Sequence, residues 1–137
     1  MRTRREFMAG AVMMAAGAAV GFCSTKVHGP VDLNFEFFGP IKLKTMLSSD
    51  EKTDSFEVRV LAAPGPDTFV RFKLSDIRRA VSELTYTQAE VSNRNVPTDK
   101  MPMYMHLESG KLMFVTAIHD AESSRFWMDL ADVKRVL

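Results

Sequence analysis

The alternation of apolar and polar residues sets the first picture of this chain. In Lys111–Asp120 (KLMFVTAIHD), Leu112, Phe114, Thr116 and Ile118 alternate with Met113, Val115, Ala117 and His119, and both sets are largely apolar. A strand buried on one face alternates cleanly, whereas one covered on both faces reads as a near-continuous apolar run. The stretch is therefore expected to be a central strand. Met101, Met103, Met105 and Leu107 alternate upstream, and Phe126, Met128 and Leu130 downstream. This predicts a three-stranded meander whose apolar face requires a second layer.

Earlier in the chain, Val31–Phe38 places Val31, Leu33, Phe35 and Phe37 on one face before Gly39-Pro40 stops it. Phe56–Ala62 is a second strand, ended by Pro64-Gly65-Pro66-Asp67. Between them, Ile41–Asp54 reads as a connection: its first residues alternate and fit a hairpin extension, but Ser48–Ser55 is polar and charged. Thr68–Leu74 fits either a short strand or the approach to a helix. Ser75–Leu84 is the one predicted helix, with Ser75 as N-cap, Asp76 at the positive helix start, and Ile77, Val81 and Leu84 on its apolar face. Thr85–Val91 is a further candidate strand, and Asn93–Lys100 a turn-rich connection. The sum is a mainly β chain of five or six strands, expected to form a two-sheet antiparallel β-sandwich with one short helical insertion. No internal repeat is visible.

A composition of 46% hydrophobic and 26% charged residues supports one folded domain over residues 31–137 and opposes disorder. The biased tract lies at the start. Arg2, Arg4 and Arg5 precede the apolar, charge-free stretch Phe7–Phe22. That stretch falls short of the roughly 20 residues a membrane-spanning helix needs, so residues 1–22 are expected to be a cleaved export signal. Thr3-Arg4-Arg5-Glu6-Phe7-Met8 resembles the twin-arginine signal, while a general secretory signal carrying two arginines fits as well.

Cys23 is the only cysteine, which excludes an internal disulfide. Val20-Gly21-Phe22-Cys23 resembles a bacterial lipobox, with Phe22 where a small residue is usual; cleavage at Ala16-Gly17-Ala18 would instead leave a free thiol. Lipidation at Cys23 is the preferred reading, because acyl chains contribute ~0.8 kcal/mol per buried methylene and a bare thiol invites oxidation. Cys23–Pro30 then reads as a lipidated tether. Without residues 1–22 the charges nearly balance and no basic block remains, so nucleic acid is not an expected partner.

No catalytic constellation is legible. His28, His106 and His119 do not pair at metal-ligand spacing, and adjacent His119 and Asp120 would point to opposite faces of a strand. Glycines form no phosphate-cradling run. Met101, Met103 and Met105 suit copper(I) in chemistry, but alternate strand residues stand about 7 Å apart, too far for one ion, and a core stripe is preferred. The expectation is therefore no catalytic residue, no metal, no small-molecule substrate and no cofactor beyond the lipid on Cys23.

Several stretches together carry a family resemblance: the lipobox-like Cys23, the strand VDLNFEF, Phe56-Glu57-Val58-Arg59-Val60-Leu61, Gly110–Ala117 (GKLMFVTA), and Arg125-Phe126-Trp127. Over residues 23–130 the chain resembles the outer-membrane lipoprotein of the bacterial type VI secretion system, the TssJ family. The resemblance implies a transthyretin-like sandwich with a helical addition. It also implies a lipid anchor in the outer membrane facing the periplasm, no catalysis, and docking of the large inner-membrane protein of the secretion complex. The family docks through the loop between its first two strands. Here that maps to Ile41, Lys42, Leu43, Lys44, Met46, Leu47, Asp50, Glu51 and Lys52, an apolar cluster beside charges, as protein contacts often are. The alternative is a small exported binding module or accessory subunit for a redox enzyme exported by the twin-arginine route.

Overall fold

The computed structural model describes residues 25–36, 40–61, 68–94, 96–116 and 125–137. Its strands are β1 (Thr25–Glu36), β2 (Pro40–Asp50), β3 (Ser55–Val60), β4 (Phe69–Lys73), β5 (Thr85–Asn93), β6 (Val96–Glu108), β7 (Lys111–Thr116) and β8 (Arg125–Asp129). Helix α1 (Leu74–Ala80) follows β4, and α2 (Leu130–Lys134) follows β8. Each strand pairs antiparallel with the next, and β8 returns to β1, so the sheet is a closed barrel.

The expected sandwich is thereby overturned. Closure rests on Asn34, Phe35 and Glu36 pairing with Trp127, Phe126 and Arg125. This pairing removes the free edges a sandwich keeps. Alternation specifies only that one strand face is buried, which both architectures satisfy. The contact that decides joins the two ends of the described chain.

Other expectations shift with it. Ile41–Asp54 is not a connection: it is nearly all of β2, followed by the turn 51–54. Its polar Ser48-Ser49-Asp50 misled because Ser49 faces inward, where its hydroxyl donates to the Val136 carbonyl; Thr45 likewise donates to Val31 at 3.2 Å. Bonded hydroxyls let a polar segment line a core. Thr25–Pro30, read as tether, belongs to β1, with a register shift between His28 and Val31. Val96–Lys100 belongs to β6. The helix begins at Leu74 with Lys73, not Ser75, in the N-cap position; it ends at Ala80, leaving Leu84 beyond it and exposed. Leu130 starts α2 instead of ending a strand. Ala117–Asp120, including His119, lies outside the described residues.

The register also reveals a repeat that the sequence hides. Strands β1–β4 with α1, and β5–β8 with α2, are two ββββα units in tandem. A shift of 56 positions (74 to 130) carries Leu74-Ser75-Asp76-Ile77-Arg78-Arg79-Ala80-Val81 onto Leu130-Ala131-Asp132-Val133-Lys134-Arg135-Val136-Leu137. The same shift carries the pair Val58↔Val70 onto Phe114↔Phe126, and Phe56↔Phe72 onto Leu112↔Met128. It also carries the hydrogen bond from Leu74 N–H to the Asp54 carbonyl (3.0 Å) onto that from Leu130 N–H to Gly110 (3.0 Å). Asp54 and Gly110 both have positive φ, 51° and 75°. The units meet at two seams of three residue pairs each, β4–β5 (Phe69↔Ser92, Val70↔Val91, Arg71↔Glu90) and β8–β1.

Both helices lie at the barrel end that carries the β2–β3 and β6–β7 turns, and Leu74, Ile77, Ala80, Val133 and Val136 join the core there. The interior is filled. Phe35, Phe126, Phe114, Phe72 and Phe56 form a chain of rings with successive centroids 5.2, 4.7, 4.9 and 6.3 Å apart, crossing from one unit to the other. Met103, Met105 and Met128 are buried beside them. An eight-stranded barrel is just wide enough for side chains to fill it. A membrane-spanning barrel is polar inside with an apolar band outside; this one has an apolar interior and, over β1–β4, a charged exterior.

Candidate interaction surface

With the interior occupied by its own side chains, the outer walls carry the candidate chemistry. Strand parity assigns them: Met103, Met105, Leu112, Phe114, Phe126 and Met128 are buried, so Tyr104, His106, Met113, Val115 and Trp127 face outward. Register sets them in rows. Tyr86 opposes Tyr104, which opposes Val115; His106 opposes Met113, which opposes Trp127. The Tyr86 and Tyr104 rings are 5.3 Å apart and tilted by 48°. Tyr86 is 52% exposed, Tyr104 43%, and Leu84 at the start of the wall 64%. Met113 is buried although it faces outward, as its place between His106 and Trp127 accounts for. Arg125 and Glu36 (2.7 Å) close one border of this apolar wall, and His106 meets Glu108 at 3.3 Å near the other.

The first unit answers the same positions with charge. Shifted by 56, Met113, Val115 and Trp127 correspond to Glu57, Arg59 and Arg71. Glu57 Oε2 accepts from Arg59 (2.9 Å) and Arg71 (3.0 Å), and Arg71 also reaches Glu90 at 2.6 Å. Phe69 lies under both guanidiniums, at 5.1 and 4.5 Å. Burial works to lower the Arg71 pKa, but hydrogen bonds and charge from Glu57 and Glu90 outweigh it and raise the value. Every charge of this cluster is matched, so its wall is polar and self-satisfied.

The residues assigned to docking from sequence do not form one patch. Leu47 is wholly buried in the barrel and Leu43 is half-buried on the same face. Lys42 and Lys44 point outward to Asp32, at 4.0 and 2.6 Å. Met46 packs against the Gly29 backbone, where an added Cβ would meet its sulfur at 2.6 Å. Ile41 is exposed near one end of β2, while Asp50, Glu51 and Lys52 lie at the other. Glu51 accepts from Arg78 at 2.7 Å, a bond that holds its carboxyl below the ordinary value. Cys23, Arg4 and Arg5 lie outside the described residues. Sequence reading took Met113 and Val115 for a covered second face of a central strand; Met113 is buried and Val115 half-buried, but the exposed Tyr86 and Tyr104 beside them went unnoticed. The signal was present: a stave of a water-facing barrel should alternate, and β7 does not.

Among the described residues no group of three His, Cys, Asp or Glu side chains could hold a metal ion, and no helix is long and apolar enough to cross a membrane. Compared with known proteins, the chain matches no family model, no curated protein and no solved structure.

Proposed function

We propose that this protein is a non-enzymatic adaptor, exported and held at a membrane by lipid on Cys23, that binds another protein through the apolar wall of β5–β8. The observation that carries the reading is the contrast between the two units. The charged wall of Glu57, Arg59 and Arg71 demonstrates that the fold tolerates polar residues where the second unit has Met113, Val115 and Trp127. Stability therefore does not require the apolar version. A contiguous apolar and aromatic patch with a polar border is the composition of a protein contact, and Tyr and Trp are the residues enriched there.

The type VI lipoprotein role is a narrower form of the same proposal. It rests on the resemblance at Cys23 and in the strand motifs; the sandwich that the resemblance implies is replaced by a barrel, so the docking surface is moved from β2 to the β5–β8 wall. The test is site-specific photocrosslinking in intact cells, with a photoreactive aromatic residue at Tyr104 and, as control, at Arg59. A protein adduct from Tyr104 alone, abolished by Tyr86→Asp, is the expected result. Equal adducts from both sites, or none from Tyr104, would refute the assignment of the wall. Mass spectrometry of the mature amino terminus checks the anchor separately: an unmodified Cys23 thiol would remove it.

A further inference from the structure

The tandem architecture has a consequence for how this chain associates with itself. Each ββββα unit presents two unpaired margins, the outer edge of its first strand and that of its fourth. In the barrel, β4 of the first unit pairs with β5 of the second, and β8 of the second with β1 of the first. The two seams are equivalent: Val70↔Val91 maps onto Phe126↔Phe35, and Phe69↔Ser92 onto Arg125↔Glu36. Ionic contacts cross both seams at the outer surface, Arg71 to Glu90 at one and Arg125 to Glu36 at the other. The apolar core joins the units too: Phe35 meets Phe126 at 5.2 Å at the β8–β1 seam, and Phe72 stacks on Phe114 at 4.9 Å across the interior. The covalent link between the units is short: Val81, Ser82, Glu83 and Leu84 join α1 to β5, and Ser82 and Glu83 are exposed. Their backbone N–H groups both donate to the Arg79 carbonyl, at 3.1 Å each, which folds the link back on the end of α1.

We infer that the barrel is a fused pair of interchangeable units, and that the seam edges of each unit accept the matching unit of a second copy of this chain. In such an exchanged dimer, β1–β4 of one copy close with β5–β8 of the other, twice. Every strand pair, the ring chain and both ionic contacts recur unchanged; only the path of Val81–Leu84 differs. What favours the single-chain barrel is the high effective concentration of one unit about the other, which a short flexible link sets in the millimolar range. The link length, not the interface, thus decides between the two forms. Exchange of identical elements is a low-cost route to dimers when a hinge is shortened.

The experiment uses the full chain, with Cys23→Ser to leave no other thiol. Deleting Ser82 and Glu83 removes the slack the link needs to turn back. Size exclusion with light scattering is expected to show a twofold rise in mass, with the far-UV circular dichroism of the parent retained. A folded monomer after deletion would overturn the inference. Because the deletion could instead prevent folding, a second test keeps the link intact. Chains carrying Phe69→Cys and chains carrying Ser92→Cys, residues that oppose one another across the β4–β5 seam, are unfolded, mixed at high concentration and refolded together under oxidising conditions. A disulfide-linked heterodimer, absent when the two are folded separately before mixing, is the expected result. Its absence after joint refolding would refute interchangeability.

Discussion

Asp54 combines a turn conformation with a helix cap at one position. It occupies a left-handed conformation (φ 51°), and its carboxylate accepts from both the N–H and the hydroxyl of Ser75, at 2.8 Å each. It therefore caps α1 from a neighbouring turn, where the α1 N-cap residue itself makes no such bond. Gly110, its counterpart, supplies the conformation (φ 75°) without a cap. Asp54→Gly is expected to keep the turn and lose the cap, destabilising by about 1 kcal/mol, with Asp54→Asn close to neutral; urea midpoints separate them. Gly110→Ala adds a Cβ into open space, so its cost is conformational alone, about 1–2 kcal/mol. Titration offers a third check. Hydrogen bonding by Lys44 lowers the Asp32 pKa, and bonding by Arg78 lowers that of Glu51. Both carboxylates gain in the folded state, so their contribution is present above the ordinary carboxylate range and lost as pH falls through the lowered values. Both are exposed, so the loss is small; Asp32→Asn should flatten the fall of the urea midpoint below pH about 4, and an unaltered slope would dismiss the Lys44 pair as a contributor.

Among the elements, β4 and β7 hold the centre, because Phe72 and Phe114 bring the ring chain from one unit to the other. Truncating Phe114 to Ala is expected to destabilise by about 3–5 kcal/mol, the range for a fully buried Phe. Tyr104→Ala on the neighbouring β6 removes an exposed ring and should stay within about 1 kcal/mol, measured by the same denaturant titration. That contrast separates core from exposed wall within adjacent strands. The α2 plug is tied down by side chains of the first unit: His28 meets Asp132 at 3.0 Å, Lys26 donates to the Leu137 carbonyl at 2.9 Å, and Ser49 donates to Val136. Sequence reading located α1 but misjudged its cap and its end, and it missed α2, for one reason. Each has fewer than eight residues, so its apolar positions (Leu74, Ile77, Ala80; Leu130, Val133) hold too few turns for a helical period to stand out.

At the scale of the molecule, each unit supplies one side of both seams, so neither can open alone without exposing the other's core. Unfolding in urea is expected to be a single transition, with Trp127 fluorescence, which reports the second unit, coinciding with far-UV circular dichroism, which reports both. Two separated transitions would mean the units are independent. The alternating apolar positions of Val31–Phe35, Phe56–Val60, Met101–Met105 and Phe126–Met128 by themselves determined that these segments are strands and which side chains face inward, because a strand must bury one face. Closure, the tandem repeat and the outward apolar wall were decided only in the tertiary structure. The barrel depends on Phe35 meeting Phe126 across almost the whole described chain. The repeat shows in the register although few identities are shared, since any well-sized apolar residue fills an inward position. Whether Trp127 and Tyr104 serve a core or a surface follows from which face the closed sheet turns to water, and a local pattern of residues cannot specify that.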